Sequence, residues 1–478
     1  MSTTTAVQLE VLGGGYEEAA HSTRSSLRST RNRHSENARS LQQDASDDPA
    51  LEASRIADST VPDGGYGWVI ILACAVIGWW TIGLSYVWGV YQRALLEKGV
   101  GSPLALSFCG SLSPALMASI GMLVSRMMRS LGTRKLCFVG IALMAIAEIG
   151  ASFVTDHLVG LFFLPGVPLG LGMSGCFMSF SVAPAQYFRR KRGLANGIVM
   201  AGGGFGGAIM SVATNNMIER YGVEWAFRIT GFLIAGTGLP AAWLIKERTP
   251  IQATGLIDWT LFKQVNFALL FLAGGMGIFP LLVPPFFIPL YTQSMGLSTS
   301  TGAALLAGFS CSSAVGRILS GQLCDILGPL NTLGAFFLGN SLTMIALWPA
   351  STTLAPLAVF AVLNGLMNGG FFSCMPTAVG NVFGSTRVST AVGMIIVGWV
   401  AGYLFVSFDR PTTLREILTT NYQGSPIAGY LLEAYGGADE GLHAYRPAMF
   451  YAGSVSLVAT ALVAILRLRI SKKPLAKI

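Results

Sequence analysis

The chain has 478 residues, of which 52% are hydrophobic and 11% are charged, and its mean hydropathy is +0.58. Soluble domains carry about 25% charged residues, so this composition excludes an ordinary soluble protein and indicates a membrane protein. The net charge of +8 does not indicate a nucleic-acid partner, because the basic residues lie in short loops between apolar runs, where they set membrane topology. The seven cysteines form no C-x-x-C pair and the four histidines do not cluster, so no metal site and no cofactor is predicted.

Residues 1–62 differ from the rest of the chain. They are rich in Ser, Arg and Asp, contain few large apolar residues, and lack the apolar core of a secretory signal. Such a composition cannot bury enough apolar surface to fold. We expect a disordered cytosolic tail.

From residue 66 onward, twelve apolar segments are long enough to cross a bilayer as helices. In chain order, segments 1 to 12 lie near 66–91, 104–128, 136–155, 158–186, 194–217, 225–246, 265–291, 299–322, 332–350, 354–382, 388–407 and 445–467. Basic residues concentrate in the loops after even-numbered segments, which places both termini in the cytosol. The sequence therefore predicts an all-α integral membrane protein with twelve transmembrane helices.

These segments divide into two sets of six. The predicted N-terminal half covers 63–246, a cytosolic linker covers 247–264, the C-terminal half covers 265–470, and a cytosolic tail covers 471–478. Two six-helix halves around a central cavity are a common plan of transporters.

The loop after segment 8 contains the first recognisable motif. "GRILSGQLCDILGP" carries Gly321, Asp325 and Gly328. It resembles the G-x-L-x-D-x-x-G signature of the major facilitator superfamily, which implies the major facilitator fold and alternating access. The resemblance also implies that the acid pairs with basic groups and holds one conformation. The candidate gating residues are Asp325, Gly321, Gly328, Arg189 and Arg192. In the first half, Arg129 occupies the acidic position, so that half departs from the pattern.

Two further motifs narrow the resemblance. Residues 63–68 read D-G-G-Y-G-W before segment 1, and residues 187–197 read Y-F-R-R-K-R-G-L-A-N-G after segment 4. Both resemble motifs of the monocarboxylate-transporter-like branch of the superfamily, in its fungal form, over roughly residues 62–470. The first motif is expected to be structural, with Asp63 capping the first helix, the glycines allowing tight packing, and Trp68 at the membrane interface. Its candidate residues are Asp63, Gly64, Gly65 and Trp68.

Arg317 in segment 8 is the main candidate for binding substrate. It matches the family's arginine, which in carboxylate carriers contacts the substrate anion, and a guanidinium can hold a carboxylate through two parallel hydrogen bonds. The alternative is a topology anchor near the cytosolic end of the helix. The family's acidic partner falls at Ser313 and its lysine in segment 1 falls at Val90, which weakens a lactate–proton symport reading.

Other polar and aromatic residues are candidates for the pathway wall, with helix packing as the alternative for each. Tyr86, Asn364, Asn368 and Phe371 are the candidate substrate contacts, and together they suit a larger amphipathic substrate better than lactate. Glu148 in segment 3 is an isolated acid that either carries a proton or has a structural role.

Residues 406–423 interrupt the end of segment 11. Deleting them restores "GYLFGSPIAGYL", the continuous passage that family members have at this point. The stretch is either an external loop or the translation of a retained intron, which transcript sequencing across the junction would decide.

We expect a secondary active transporter of a small organic anion or related organic solute, embedded in the lipid bilayer, with a proton as the candidate driving ion. The alternatives are a facilitative carrier or exporter of a larger metabolite (riboflavin-like or a secondary metabolite), or a non-transporting membrane sensor. The chain has no histidine cluster, Ser-His-Asp grouping or H-E-x-x-H motif, so an enzyme is not predicted. The plasma membrane is favoured, with a vacuolar or other organelle membrane as the alternative.

Overall fold

The computed structural model describes residues 63–101, 103–248, 259–404, 428, 431–432, 435 and 441–471. The predicted tail at 1–62, the insert at 406–423, residues 249–258 of the linker and residues 472–478 lie outside the described residues.

Each of the twelve predicted segments is helical over most of its described residues. The first half comprises α1 (Tyr66–Glu97), α2 in two pieces (Pro103–Ser119 and Gly121–Leu131), α3 (Thr133–Ala151), α4 (Leu158–Tyr187), α5 (Arg192–Tyr221) and α6 (Val223–Leu244). The second half comprises α7 (Val265–Ser294), α8 (Thr299–Leu327), α9 (Pro329–Ala350), α10 (Leu354–Phe383), α11 (Thr390–Val400) and α12 (Arg446–Ile470), after a short helix at Trp259–Lys263. The all-helical prediction is confirmed.

Helices α10 and α11 belong to one unbroken helical stretch, Leu354–Leu404, that reverses direction. A straight helix of 51 residues would be about 77 Å long, against about 30 Å for the apolar core of a bilayer. Phe371 and Trp399 would lie about 42 Å apart on a straight helix. Their ring centroids are 5.2 Å apart, so the chain folds back between them. The stretch therefore supplies two antiparallel spans.

The two halves meet where α5 crosses α8. A Cβ atom added to Gly197 on α5 would lie 2.5 Å from the carbonyl oxygen of Arg317, and one added to Gly321 on α8 would lie 2.3 Å from that of Gly193. Only glycine permits such a close approach of two helix backbones. This crossing lies near the start of α5 and the end of α8, among the basic loops, which we call the cytosolic end. The halves are therefore closed against each other at the cytosolic end.

Three helix pairs are joined through single glycines with positive φ. Gly132 (φ 82°) joins α2 to α3, Gly222 (φ 85°) joins α5 to α6, and Gly328 (φ 92°) joins α8 to α9. Residues with a Cβ rarely adopt this conformation. Gly328, a predicted gating residue, therefore forms the turn between α8 and α9.

The start of α1 requires a correction. The helix begins after Gly65 without a side-chain cap, and the Asp63 carboxylate accepts instead from the backbone N–H groups of Arg189 (2.6 Å) and Arg190 (2.8 Å). Asp63 has φ 50°, and the loop after α4 presents free N–H groups to it, which is a nest suited to an anion. The prediction that Asp63 caps α1 was wrong.

The rest of the first motif packs on the second one. The Trp68 ring lies 4.8 Å from that of Phe188, and a Cβ at Gly67 would lie 3.0 Å from the same phenyl ring. The predicted tight packing of Gly64 and Gly65 was wrong, because an added Cβ would meet nothing within 4 Å; Gly65 instead provides φ +60°. The two motifs that carry the resemblance are therefore in direct contact.

Candidate substrate-binding site and cytosolic gate

Arg317 lies on α8 at the junction of the two halves and has no exposed surface. Its Nη1 donates to the carbonyl oxygen of Met200 on α5 at 2.7 Å, and its Nη2 donates to the hydroxyl of Tyr86 on α1 at 3.3 Å. The guanidinium carbon stands 4.8 Å from the centroid of the Phe372 ring on α10. Arg317 and Tyr86, both predicted site residues, are thus brought together, and the complete burial of Arg317 argues against a surface anchor.

The charge of Arg317 is not neutralised by any of the salt bridges found among the described residues. Its Nε is buried and has no hydrogen-bond partner in that part of the chain. Ser313, one turn earlier on α8, is also buried but carries no charge. An unpaired buried cation is costly within a membrane protein, and a bound anion would offset that cost.

Tyr86 is the exposed partner of the buried Arg317. The tyrosine is 39% exposed, whereas the arginine that its hydroxyl contacts is 0% exposed. Its ring packs against α5, where a Cβ added to Gly207 would lie 2.7 Å from the ring atom Cδ2.

Aromatic rings from both halves surround this region. Phe371 on α10 lies 5.7 Å from Phe337, 5.3 Å from Phe372 and 5.2 Å from Trp399 on α11, measured between ring centroids. Trp399 in turn lies 6.1 Å from Phe177 on α4. The Nε1 group of Trp399 is buried without a partner among the described residues. We call these five residues the aromatic cluster.

Sequence reasoning found Phe371 but missed Phe177 and Trp399. These residues lie on three different helices, two of them in the second half and one in the first, so no spacing along the chain joins them. A tryptophan inside an apolar segment is a weak signal, because such a ring usually serves packing. The one sequence signal for Trp399 as a site residue was its polar indole N–H group within an apolar segment.

The two predicted asparagines make buried contacts with neighbouring helices; that they line the pathway stays a prediction. The Asn364 amide nitrogen donates to Oδ1 of Asn340 on α9 at 2.9 Å. The Asn368 amide nitrogen donates at 2.7 Å to the carbonyl oxygen of Leu281 on α7. That carbonyl has no helical N–H partner, because the residue four positions later is Pro285. Asn368 therefore supplies the hydrogen bond that Pro285 cannot donate to this carbonyl.

Asp325 closes the cytosolic end by capping a helix of the other half. Its Oδ1 accepts from the backbone N–H of Gly193 at 2.7 Å, and its Oδ2 accepts from that of Leu194 at 2.8 Å. Both amides belong to the first turn of α5, where free N–H groups and the helix dipole favour a negative charge. Each carboxylate oxygen thus holds one amide across the junction of the halves.

The first turns of α5 add further bridges between the halves. Arg192 is 4% exposed and donates through Nη1 to the carbonyl oxygen of Gly380 on α10 at 3.1 Å. Nearby, the Asn196 amide donates to the hydroxyl of Thr377 at 2.8 Å, a buried contact that sequence reasoning missed. The Arg189 side chain is exposed, and its backbone N–H binds Asp63 within the first half. That Arg189 acts in gating stays a prediction.

Comparison with known proteins identifies the architecture. The family model described as "Major Facilitator Superfamily" matches residues 68–407. The chain belongs to the major facilitator superfamily. This membership, together with the apolar helices, makes it a multi-pass membrane transporter.

Fungal members of the superfamily resemble the chain over most of its length. The aspyridones efflux protein apdF of Emericella nidulans is 30% identical over 414 residues, which cover 83% of this chain and 79% of that protein. An MFS-type transporter of Gibberella moniliformis is 28% identical over 404 residues, which cover 83% and 91% of the two chains. Among solved structures, the proton:xylose symporter XylE bound to 6-bromo-6-deoxy-D-glucose superposes with a TM-score of 0.64 at 13% identity, covering 84% of this chain and 96% of that one. At this identity the match concerns the fold alone.

Proposed function

We propose that this major facilitator protein is a secondary active carrier of a small organic anion or related organic solute, of the monocarboxylate-transporter-like type. The observation that carries the proposal is the buried guanidinium of Arg317, which lies between the two halves and has a free Nε donor among the described residues. A positive group at the junction of the halves is placed where alternating access can expose it to each side in turn.

The surroundings of Arg317 support a substrate with an anionic head and an apolar body. A guanidinium binds a carboxylate through two parallel hydrogen bonds, which gives geometric selectivity as well as affinity. The aromatic cluster supplies an apolar surface next to it, with Phe372 in contact with the guanidinium itself. A carboxylate that carries an aromatic or aliphatic body would bind both parts.

The contacts at the cytosolic end support an outward-facing conformation. Asp325, Arg192 and the glycines of the α5–α8 crossing hold the halves together there. Tyr86 remains partly exposed on the other side of Arg317. In this state the substrate would exchange with the outer side of the membrane. The cytosolic contacts would open when the carrier changes to the inward-facing conformation.

Export of a larger metabolite is the second candidate function. Two observations favour it: the printed name of the relative in Emericella nidulans describes efflux of aspyridones, and the aromatic cluster offers more apolar surface than a two- or three-carbon acid needs. Both candidates use the same site and differ in the size of the cargo and the direction of net flux. In either case the plasma membrane is the proposed location.

Transport by the purified protein in liposomes tests the proposal. Labelled carboxylates of increasing apolar size are offered to the wild type and to the variants Arg317→Ala, Arg317→Lys and Arg93→Ala. Removing one partner of a buried charge pair costs about 2 kcal/mol or more, so we expect Arg317→Ala to lower uptake about 30-fold or more. Arg317→Lys keeps the charge without the two-donor geometry and should retain an intermediate rate.

Arg93→Ala is the matched control. This arginine lies on α1 in an exposed pair with Glu97, so its loss should leave uptake unchanged. Unchanged uptake by Arg317→Ala would refute the role of Arg317. If the wild type carried none of the carboxylates, the carrier proposal would fail and a sensor would be favoured.

A further inference from the structure

A second buried polar site lies inside the first half, away from Arg317. Glu148 stands one turn from the outer end of α3 and is 3% exposed. Its Oε2 atom has no hydrogen-bond partner among the described residues. Because an ionised carboxylate is strongly disfavoured in such surroundings, the neutral acid with a bound proton is the form that this site accommodates.

Tyr91 from α1 is close enough to Glu148 to sense its charge, and two further helices contribute hydroxyl groups beside this tyrosine. The Tyr91 hydroxyl lies 3.0 Å from that of Thr230 on α6. Thr214 from α5 is 0% exposed and borders the same tyrosine. The Oε2 atom of Glu148 remains without a partner among the described residues, and a proton on the carboxyl removes the charge that such a site disfavours.

The other titratable groups packed against α3 are engaged elsewhere. Arg228 from α6 donates to the hydroxyl of Ser152, one turn farther out than Glu148. Cys176 from α4 contacts the carbonyl oxygen of Cys137, three turns toward the cytosolic end.

Helix α5 connects this site with the contacts between the halves. The helix carries Thr214 beside Tyr91, the Met200 carbonyl that binds Arg317, and the Gly193 amide that binds Asp325. Ionisation of Glu148 would place an unpaired negative charge near Tyr91 of α1, which contacts Thr214 of α5 and Thr230 of α6, so the two protonation states favour different arrangements of these helices. A ligand shifts a conformational equilibrium by its difference in affinity for the two states.

We propose that Glu148 is a proton-binding site of this carrier, occupied in the conformation that is closed at the cytosolic end and emptied when that end opens. The proton adds to a carboxylate oxygen from water and returns to water when the O–H bond breaks, so no other reactant is needed. The inference deepens the proposed function, on which it rests, by placing the site of the driving ion.

Infrared spectroscopy of the full chain in lipid nanodiscs tests the protonation state directly. The carboxylic-acid C=O band of the wild type should persist at neutral pH and be absent in Glu148→Gln. The matched control is Glu97→Gln, which alters an exposed acid at the end of α1 and should leave that band unchanged. A neutral-pH band that survives in Glu148→Gln, or that is absent from the wild type, would overturn the proposal.

A distance measurement tests the coupling to conformation without any substrate. Spin labels on cysteines at Arg190 and Gln322, exposed positions in different halves, report the separation at the cytosolic end in a background where the exposed Cys311 is replaced. The wild type should shift toward longer distances as the pH rises, whereas Glu148→Gln should keep the short distance at every pH. Glu148→Asp keeps a carboxyl group and should retain the pH-dependent change in distance, with its midpoint at a different pH. This result would show that a loss of the change in Glu148→Gln comes from the missing carboxyl and not from misfolding.

The outcomes separate this inference from the proposed function. A pH response that is absent from the wild type or unchanged in Glu148→Gln refutes the proton site, even if carboxylates are transported. Conversely, a pH response that requires Glu148 in a protein that transports no candidate supports the site and refutes the choice of cargo.

Discussion

Replacing Asp325 by alanine should open the cytosolic end. The substitution removes both oxygens that hold the backbone amides of Gly193 and Leu194, at 2.7 and 2.8 Å, across the junction of the halves. When the end opens during the cycle, these contacts are lost in any case. The substitution therefore weakens the closed state without an equal effect on the open state.

The expected size follows from helix capping. Loss of a side-chain cap costs about 0.5–2 kcal/mol, and an ionised acceptor lies in the upper part of that range. Asp325 is only half-buried, so solvent reduces the contribution. We expect a change of about 1–2 kcal/mol, which alters the ratio of open to closed molecules about 5- to 30-fold.

The thiol of Cys324 reports the opening. It is 2% exposed and covered by the start of α5, because a Cβ added to Gly193 would lie 2.8 Å from the Cys324 Cβ. In a variant that keeps this cysteine and replaces the other six, the rate of maleimide labelling follows the population of the open form. Asp325→Ala should raise this rate about 5- to 30-fold.

Asp63→Ala is the matched control. Asp63 also accepts from two backbone amides, those of Arg189 and Arg190, but all partners lie in the first half. Its loss should lower thermal stability by a similar amount without raising the labelling rate. Equal labelling in the two variants, or no increase in Asp325→Ala, would refute the reasoning.

Three further predictions follow. Gly197→Val should increase labelling in the same assay, since its Cβ would lie 2.5 Å from an α8 carbonyl oxygen and overpacking costs about 1–3 kcal/mol. Asn368→Leu should lower the midpoint temperature of unfolding by orphaning the buried carbonyl of Leu281, a loss of about 1–3 kcal/mol. The hydrogen bond that Lys98 donates to the Glu224 carboxylate raises the pKa of Lys98, so its stabilising contribution is fully present below about pH 10.4 and is lost as the pH rises through the raised value. Thermal unfolding of Lys98→Met should therefore show a smaller loss of stability above pH 10.4 than the wild type.

Local features of the sequence predicted the helices well. Each apolar segment had the length of a membrane span, and the basic loops alternated in a way that set the topology, because burial in lipid and loop charge act on each segment almost independently. The reversal inside Leu354–Leu404 was also predicted as two segments, although the backbone stays helical throughout.

The contacts of the site were predicted less well. The pairing of Arg317 with Tyr86 joins two positions separated by 231 residues, and no spacing rule connects them. Asn364 and Asn368 are predicted pathway residues because they are polar groups in an apolar span. The structure adds that their amides contact neighbouring helices, in one case to satisfy a carbonyl that a proline had left free.

The sequence by itself determined that the chain spans the membrane, how its segments divide and orient, and which family motifs it carries, because hydropathy and loop charge are additive along the chain. Only the tertiary structure decided that Asp63 binds the loop after α4, that Asp325 caps α5 in the other half, and that Arg317 is enclosed by Tyr86 and Phe372. The physical reason is that a helix apolar on all sides shows no preferred face in its sequence. Which face meets which neighbour depends on close packing between helices and on the few polar groups that must find partners there.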